Sequence, residues 1–147
     1  MDKGVAVAVA GVVGGVVVIQ GPLNSHLGRI VGGLEASVVA LGVSFTSVLM
    51  LSVVTGGIGG VRNIGEAPWY VAIGGGLAGA IFIASIVWTV RVLGVGGLTA
   101  VTIAGQLGVA IVIDHFGWLG VEKSPITVAK VLGVALLALG TWLVIRE

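Results

Sequence analysis

Cysteine is absent from this sequence. That excludes disulfides, zinc–thiolate centres and thiol nucleophiles together. Charge is nearly absent too. Only 9% of the 147 residues are Asp, Glu, Lys or Arg, against roughly 25% in soluble domains. The formal net charge is +1 and no basic run occurs, so no nucleic-acid partner is expected. No low-complexity linker divides the chain. No Ser, His and Asp fall in a catalytic arrangement, so an enzyme is not expected. Asp114-His115 alone is too little for a metal site, and no cofactor is called for. "GGIGGVRNIG" resembles a phosphate loop only in its glycines; it lacks the Lys-Ser/Thr pair and reads as a flexible turn.

What is present is apolar. Hydrophobic residues make up 57% of the chain, more than a soluble fold of this length can bury. The expected solvent is the lipid bilayer, with the chain as a multi-pass protein of the cell (cytoplasmic or inner) membrane. Within lipid only helices or closed barrels satisfy the backbone. Barrel strands alternate apolar and polar residues, whereas this chain has unbroken apolar runs. The expected fold class is therefore an all-α membrane protein. The 27 glycines, poor helix formers in water, suit close helix contacts in a membrane.

Five segments approach the roughly 20 residues needed to cross a ~30 Å hydrocarbon core. They run at about 4–23, 36–55, 69–90, 96–113 and 127–145, and together form one five-helix transmembrane domain over 1–147. The breaks between them are "NSHLGRIVGGLE", "GGIGGVRNIGEAP", "RVLGVG" and "DHFGWLGVEKSP". Met-Asp-Lys before the first run has the outline of a signal peptide, but the run is long and four more spans follow. An odd span count puts the termini on opposite sides. Lys3, Arg62, Lys123 and Lys130 then lie on the N-terminal side, and Arg29, Arg91 and Arg146 on the other. Four against three is almost no bias for the rule that sets orientation. Insertion in both orientations is expected.

The few polar residues fall in stripes. On the first helix Gly4, Gly11, Gly15 and Val18 share one face, and Gln20 and Asn24 point nearly opposite. Pro22 lies between those amides and is expected to kink the helix end. Ser37, Ser44, Ser47 and Thr55 line one side of the second span; Thr99, Thr102 and Gln106 align on the fourth. "GGGLAGA" forms a glycine face on the third, and Ala129, Gly133 and Gly140 share a face of the fifth. The hydroxyls can serve simply as glue between helices. Amides present donors and acceptors together and suit a cavity for a polar or cationic small solute. Gln20, Asn24, Ser44, Thr102 and Gln106 are the candidate solute contacts. Glu35 and Asp114 are candidate coupling groups by virtue of being acids near membrane depth, although both look interfacial and Arg29 or Lys123 offers a simple partner. His26 and His115 read as headgroup-level residues.

Several of these blocks together resemble a known family. "IQGPLNSHLGR", "SFTSVLML", "GQLGVAIVIDHFGWLG" and "KVLGVALLALGTWLV" are similar to the half-length, five-helix (YdcZ-like) branch of the drug/metabolite transporter superfamily. The resemblance covers nearly the whole chain. It implies one half of a ten-helix inverted-repeat transporter, and the near-zero charge bias favours a second copy of the same chain in the opposite orientation. Related small multidrug exporters carry a glutamate within the first helix, and this chain does not. The expected function is secondary transport, as an exporter, of a small organic solute. The alternatives are a non-catalytic accessory or structural membrane subunit, and a half-transporter needing a different partner chain.

Overall fold

The computed structural model describes residues 2–146, and among them every regular element is helical. The order is α1 (Lys3–Val31), α2 (Gly33–Val54), a 3₁₀ stretch (Gly57–Glu66), α3 (Trp69–Phe116), a short 3₁₀ turn (Trp118–Gly120) and α4 (Val128–Ile145). All four α-helices are long and apolar enough to cross a membrane. The chain divides into two compact units, one ending at Arg91 and the other beginning at Val92.

In the first unit, α1 does not stop where its polar residues begin. It runs through Pro22 and ends at Gly32, whose φ of 106° only glycine adopts easily. Pro22 has no N–H for the Val18 carbonyl, but one missing bond does not end a helix supported by packing further on. The expected break at Asn24 is thus helical. Its buried residues are Gly21, Asn24, Ser25 and Gly28. That spacing of i, i+3, i+4 and i+7 is a helix stripe. The stripe is small or polar rather than greasy, and Val87 of α3 meets it at Gly28; Ile86 and Val90 of α3 and Ala36 of α2 are also buried in the unit. A Cβ placed on Gly28 would lie 2.7 Å from Val87 Cγ1, and one on Gly33 2.9 Å from the Trp88 ring. Only glycine lets these helices approach so closely.

The glycine stripe expected to be the packing face behaves differently. Gly11, Gly14 and Gly15 have open space where a side chain would go, as do Gly74, Gly75, Gly76 and Gly79. Within the first unit these faces touch nothing.

The segment 57–66, expected as a flexible turn, is a run of 3₁₀ turns with every residue exposed. Beyond it α3 covers 48 residues. That is more than twice the roughly 20 residues that cross a ~30 Å hydrocarbon core. The helix is interrupted at Gly94 (φ 68°, ψ 176°), in a region of backbone space open to glycine alone. The expected loop between the third and fourth spans shrinks to this one residue.

In the second unit, residues after Phe116 turn back through Gly117, Leu119 and Gly120, all with positive φ. The following strap is tied to the end of α3 by Ser124 N–H donating to the Asp114 carbonyl (2.8 Å) and Ile126 N–H to His115 Nδ1 (3.3 Å). Thr127 caps α4 by accepting from Lys130 N–H at 3.3 Å, while Lys130 Nζ donates to Ser124 Oγ (2.8 Å) and to the Ser124 carbonyl (3.0 Å). Thr141 of α4 donates to the Ala100 carbonyl at 3.1 Å and is buried. Nearby, Gly97 sits against Leu93 and Ile145. Elsewhere large apolar side chains face outward, Leu136, Leu139, Trp142 and Leu143 of α4 among them. Such exposure is costly in water and natural in lipid.

Candidate functional site

Gln20 and Asn24 come together. They line a groove of about 350 Å³ whose other walls are Val16, Val17, Ile19 and Leu23. That volume is at the lower end of small-molecule pockets. Every lining residue belongs to α1, so the groove has one wall. Gln20 is half-buried. Asn24 is only 8% exposed, and its Nδ2 is buried with no hydrogen-bond partner. An unpaired buried donor costs roughly 1–3 kcal/mol. Neighbouring Ser25 is satisfied: Arg91 Nε donates to its hydroxyl and Arg91 Nη2 to its carbonyl, each at 3.3 Å.

The other candidates are divided between the two units. Ser44 is exposed on α2. Thr102, in the second unit, donates its hydroxyl to the Leu98 carbonyl at 2.9 Å and to that of Thr99 at 3.0 Å. Gln106 of the same unit is exposed. Most hydroxyls follow Thr102: Thr46, Ser47, Ser85 and Thr99 each bond the carbonyl four residues back. Thr141 is different in reaching another helix segment. The interhelical glue expected of these hydroxyls is mostly glue within one helix.

Glu35 occupies the first turn of α2. Its carboxylate curls back over Gly32, into the space a side chain there would need. An acid at this third helical position interacts favourably with the unpaired N–H groups of the helix start. Asp114 lies half-buried in the last turn of α3. Arg29 turns its Nη2 toward His26 Nδ1 at 3.4 Å. Among the described residues no three His, Cys, Asp or Glu gather where they could hold a metal.

A second groove, of about 340 Å³, lies in the second unit between the Gly108 and Ile111 face of α3, Ile126, and Val131, Val134 and Ala138 of α4. No polar side chain lines it, so it offers no recognition chemistry.

The residue that the sequence reading missed is Arg91. By sequence Arg91 is only a loop charge, yet it fastens α3 to α1 one position from Asn24. The available signal was the small-residue spacing of Gly21, Asn24, Ser25 and Gly28, which marks the seam it enters.

The architecture is that of a helical membrane protein. A search of curated proteins and a search of solved structures find no match. The family described as "Putative inner membrane exporter, YdcZ" matches residues 5–143. With that match spanning all four α-helices, the chain belongs to the YdcZ family of the drug/metabolite transporter type and is a multi-pass protein of the inner membrane.

Proposed function

We propose that the protein is a secondary exporter of a small polar or cationic organic solute, and that it works as an antiparallel, dual-topology homodimer. Each chain then contributes five spans, the two segments of α3 on either side of Gly94 counting as separate crossings, to a ten-helix inverted repeat. The observation that carries the reading is Asn24. A buried amide with an unpaired donor, on a groove walled by a single helix, has the character of a half-built site. A second copy in the opposite orientation supplies the missing wall, and solute sites in inverted-repeat transporters lie at that interface near the bilayer midplane. Gln20 and Asn24 contact the solute first in this reading, with Ser44, Thr102 and Gln106 as further contacts.

The test is transport by the purified chain alone in proteoliposomes, with a panel of small amides and quaternary ammonium ions. Asn24→Ala and Gln106→Ala should lower flux at least tenfold without changing assembly. Undiminished flux in both variants removes these residues from the site. The open glycine faces of α1 and α3 equally suit an accessory subunit whose task is assembly. Such a subunit would move no solute until another chain was added.

A further inference from the structure

We infer that the Gln20–Asn24 groove takes a neutral, amphiphilic solute, which presents a hydrogen-bond acceptor oxygen to Asn24 and lays an apolar body along α1. The inference rests on the groove being the transport site and narrows the solute class.

Three features of the groove point the same way. The orphaned atom is a donor. Asn24 Nδ2 is buried and meets no acceptor among the described residues, so the complementary group is a carbonyl, ether or hydroxyl oxygen. The torsion that turns an asparagine amide is broad and roughly two-fold. Its amine end can therefore swing to a ligand while the helix stays in place. Secondly, no charged residue lines the groove. A cation entering it would leave water for a wall with no counter-charge, which is unfavourable unless the ion is paired. Thirdly, Val16, Val17, Ile19 and Leu23 make up the rest of the wall. Binding then draws on removal of apolar ligand surface from water, with a few polar groups setting orientation. Gln20, one turn before Asn24, offers both a donor and an acceptor to a second polar group on the same face.

Three probes of similar size separate the possibilities: N,N-diethylbenzamide has an acceptor and no donor, tert-butylbenzene has neither, and benzyltrimethylammonium has a positive charge and no acceptor. Apparent dissociation constants are taken from thermal stabilisation of the full chain in lipid nanodiscs, comparing parent and variants in the same lipid so that partitioning of the probes cancels. The amide is expected to bind the parent most tightly. Asn24→Leu should weaken it about tenfold, the factor matching ~1.4 kcal/mol for one lost hydrogen bond, while leaving tert-butylbenzene unchanged or tighter. Asn24→Asp exchanges the donor for a carboxylate and should transfer the preference to the ammonium ion. Because the two variants predict opposite selectivities, a general loss of folding cannot imitate the result.

Tightest binding of the ammonium ion by the parent, abolished in Asn24→Leu, would keep the groove as the site and overturn the neutral class. Amide binding that is the same in Asn24→Leu and Gln20→Leu as in the parent would remove the groove as the site and the inference with it. Failure of all three probes to stabilise the parent also overturns it. So does an Asn24→Leu chain that changes its self-association on size exclusion and not its probe affinity, since the Asn24 donor would then bond the second copy rather than the solute.

Discussion

Arg91 holds Ser25 by two hydrogen bonds, Nε to the hydroxyl and Nη2 to the carbonyl, each 3.3 Å long and closing a span of 66 residues. Ser25 is 5% exposed, and the contact ties the first segment of α3 to α1 immediately beside Asn24. Hydrogen bonds to a charged group contribute roughly 1.5–3 kcal/mol when buried. Here Arg91 as a residue is exposed and the contact is only part-buried, so about 1 kcal/mol is expected. A double-mutant cycle of Ser25→Ala and Arg91→Gln, read by thermal unfolding in detergent, should give a coupling of that size. Strictly additive effects would show that the bridge contributes nothing.

Gly28 is the tightest point of the same seam. Gly28→Ala should destabilise by about 1–3 kcal/mol, the usual cost of overpacking, because Val87 is fully buried and cannot move aside. Combining it with Val87→Ala should recover part of the loss. Gly15→Ala, with open space around it, should leave the stability of the isolated chain unchanged or slightly higher. Equal losses at Gly28 and Gly15 would contradict the assignment of the seam.

Gly94 tests the break in α3. Space is not the obstacle there, since nothing lies within 4 Å of an added Cβ. The obstacle is the backbone, whose φ of 68° and ψ of 176° cost a side-chain-bearing residue roughly 1–3 kcal/mol. Gly94→Ala should lower the unfolding temperature, and Gly105→Ala, within regular helix, should not. A stable Gly94→Ala protein would mean that α3 crosses this point in another conformation.

The two acids separate coupling from architecture. Glu35 lies over Gly32 at the start of α2, so Glu35→Gln should weaken the helix start by about 0.3–1 kcal/mol and leave ion-driven transport intact. Asp114 holds the strap through its backbone carbonyl, which Asp114→Asn preserves. Flux driven by a pH gradient should therefore survive in the double variant. Its loss, with flux down a solute gradient retained, would assign coupling to one of these carboxylates.

Dual orientation has its own readout. A tag at Glu147, which lies outside the described residues, should be reached from both sides of the membrane. Lysines added to one set of short loops should force a single orientation, since orientation follows loop Lys and Arg. Chains forced into opposite orientations should be inactive alone and active when co-expressed. Full activity with the tag on one side would point to an oppositely oriented partner chain.

Much of the architecture was legible because composition decides the solvent and the solvent decides the backbone. Apolar runs near twenty residues, such as those now in α2 and α4, can only be helices in lipid. The pairing of Gln20 with Asn24 was legible as well, since residues four apart share a helix face whatever surrounds it. The end of α1 was not. Asn24, Ser25, His26 and Arg29 look like a loop when polarity alone is read, yet a helix tolerates them when their small members meet a neighbouring helix.

The sequence by itself determined a helical membrane chain with few polar groups and almost no topological charge signal. Tertiary structure alone decided which glycines are contacts. Gly11, Gly15 and Gly28 carry identical chemistry, but only Gly28 has Val87 and Arg91 pressed against it. A residue without a side chain records no partner in its own identity; Val87 and Arg91 reach Gly28 from far along the chain. The same holds for Asn24. Its type announces a donor and an acceptor, and only packing shows that the donor is buried with no partner among the described residues.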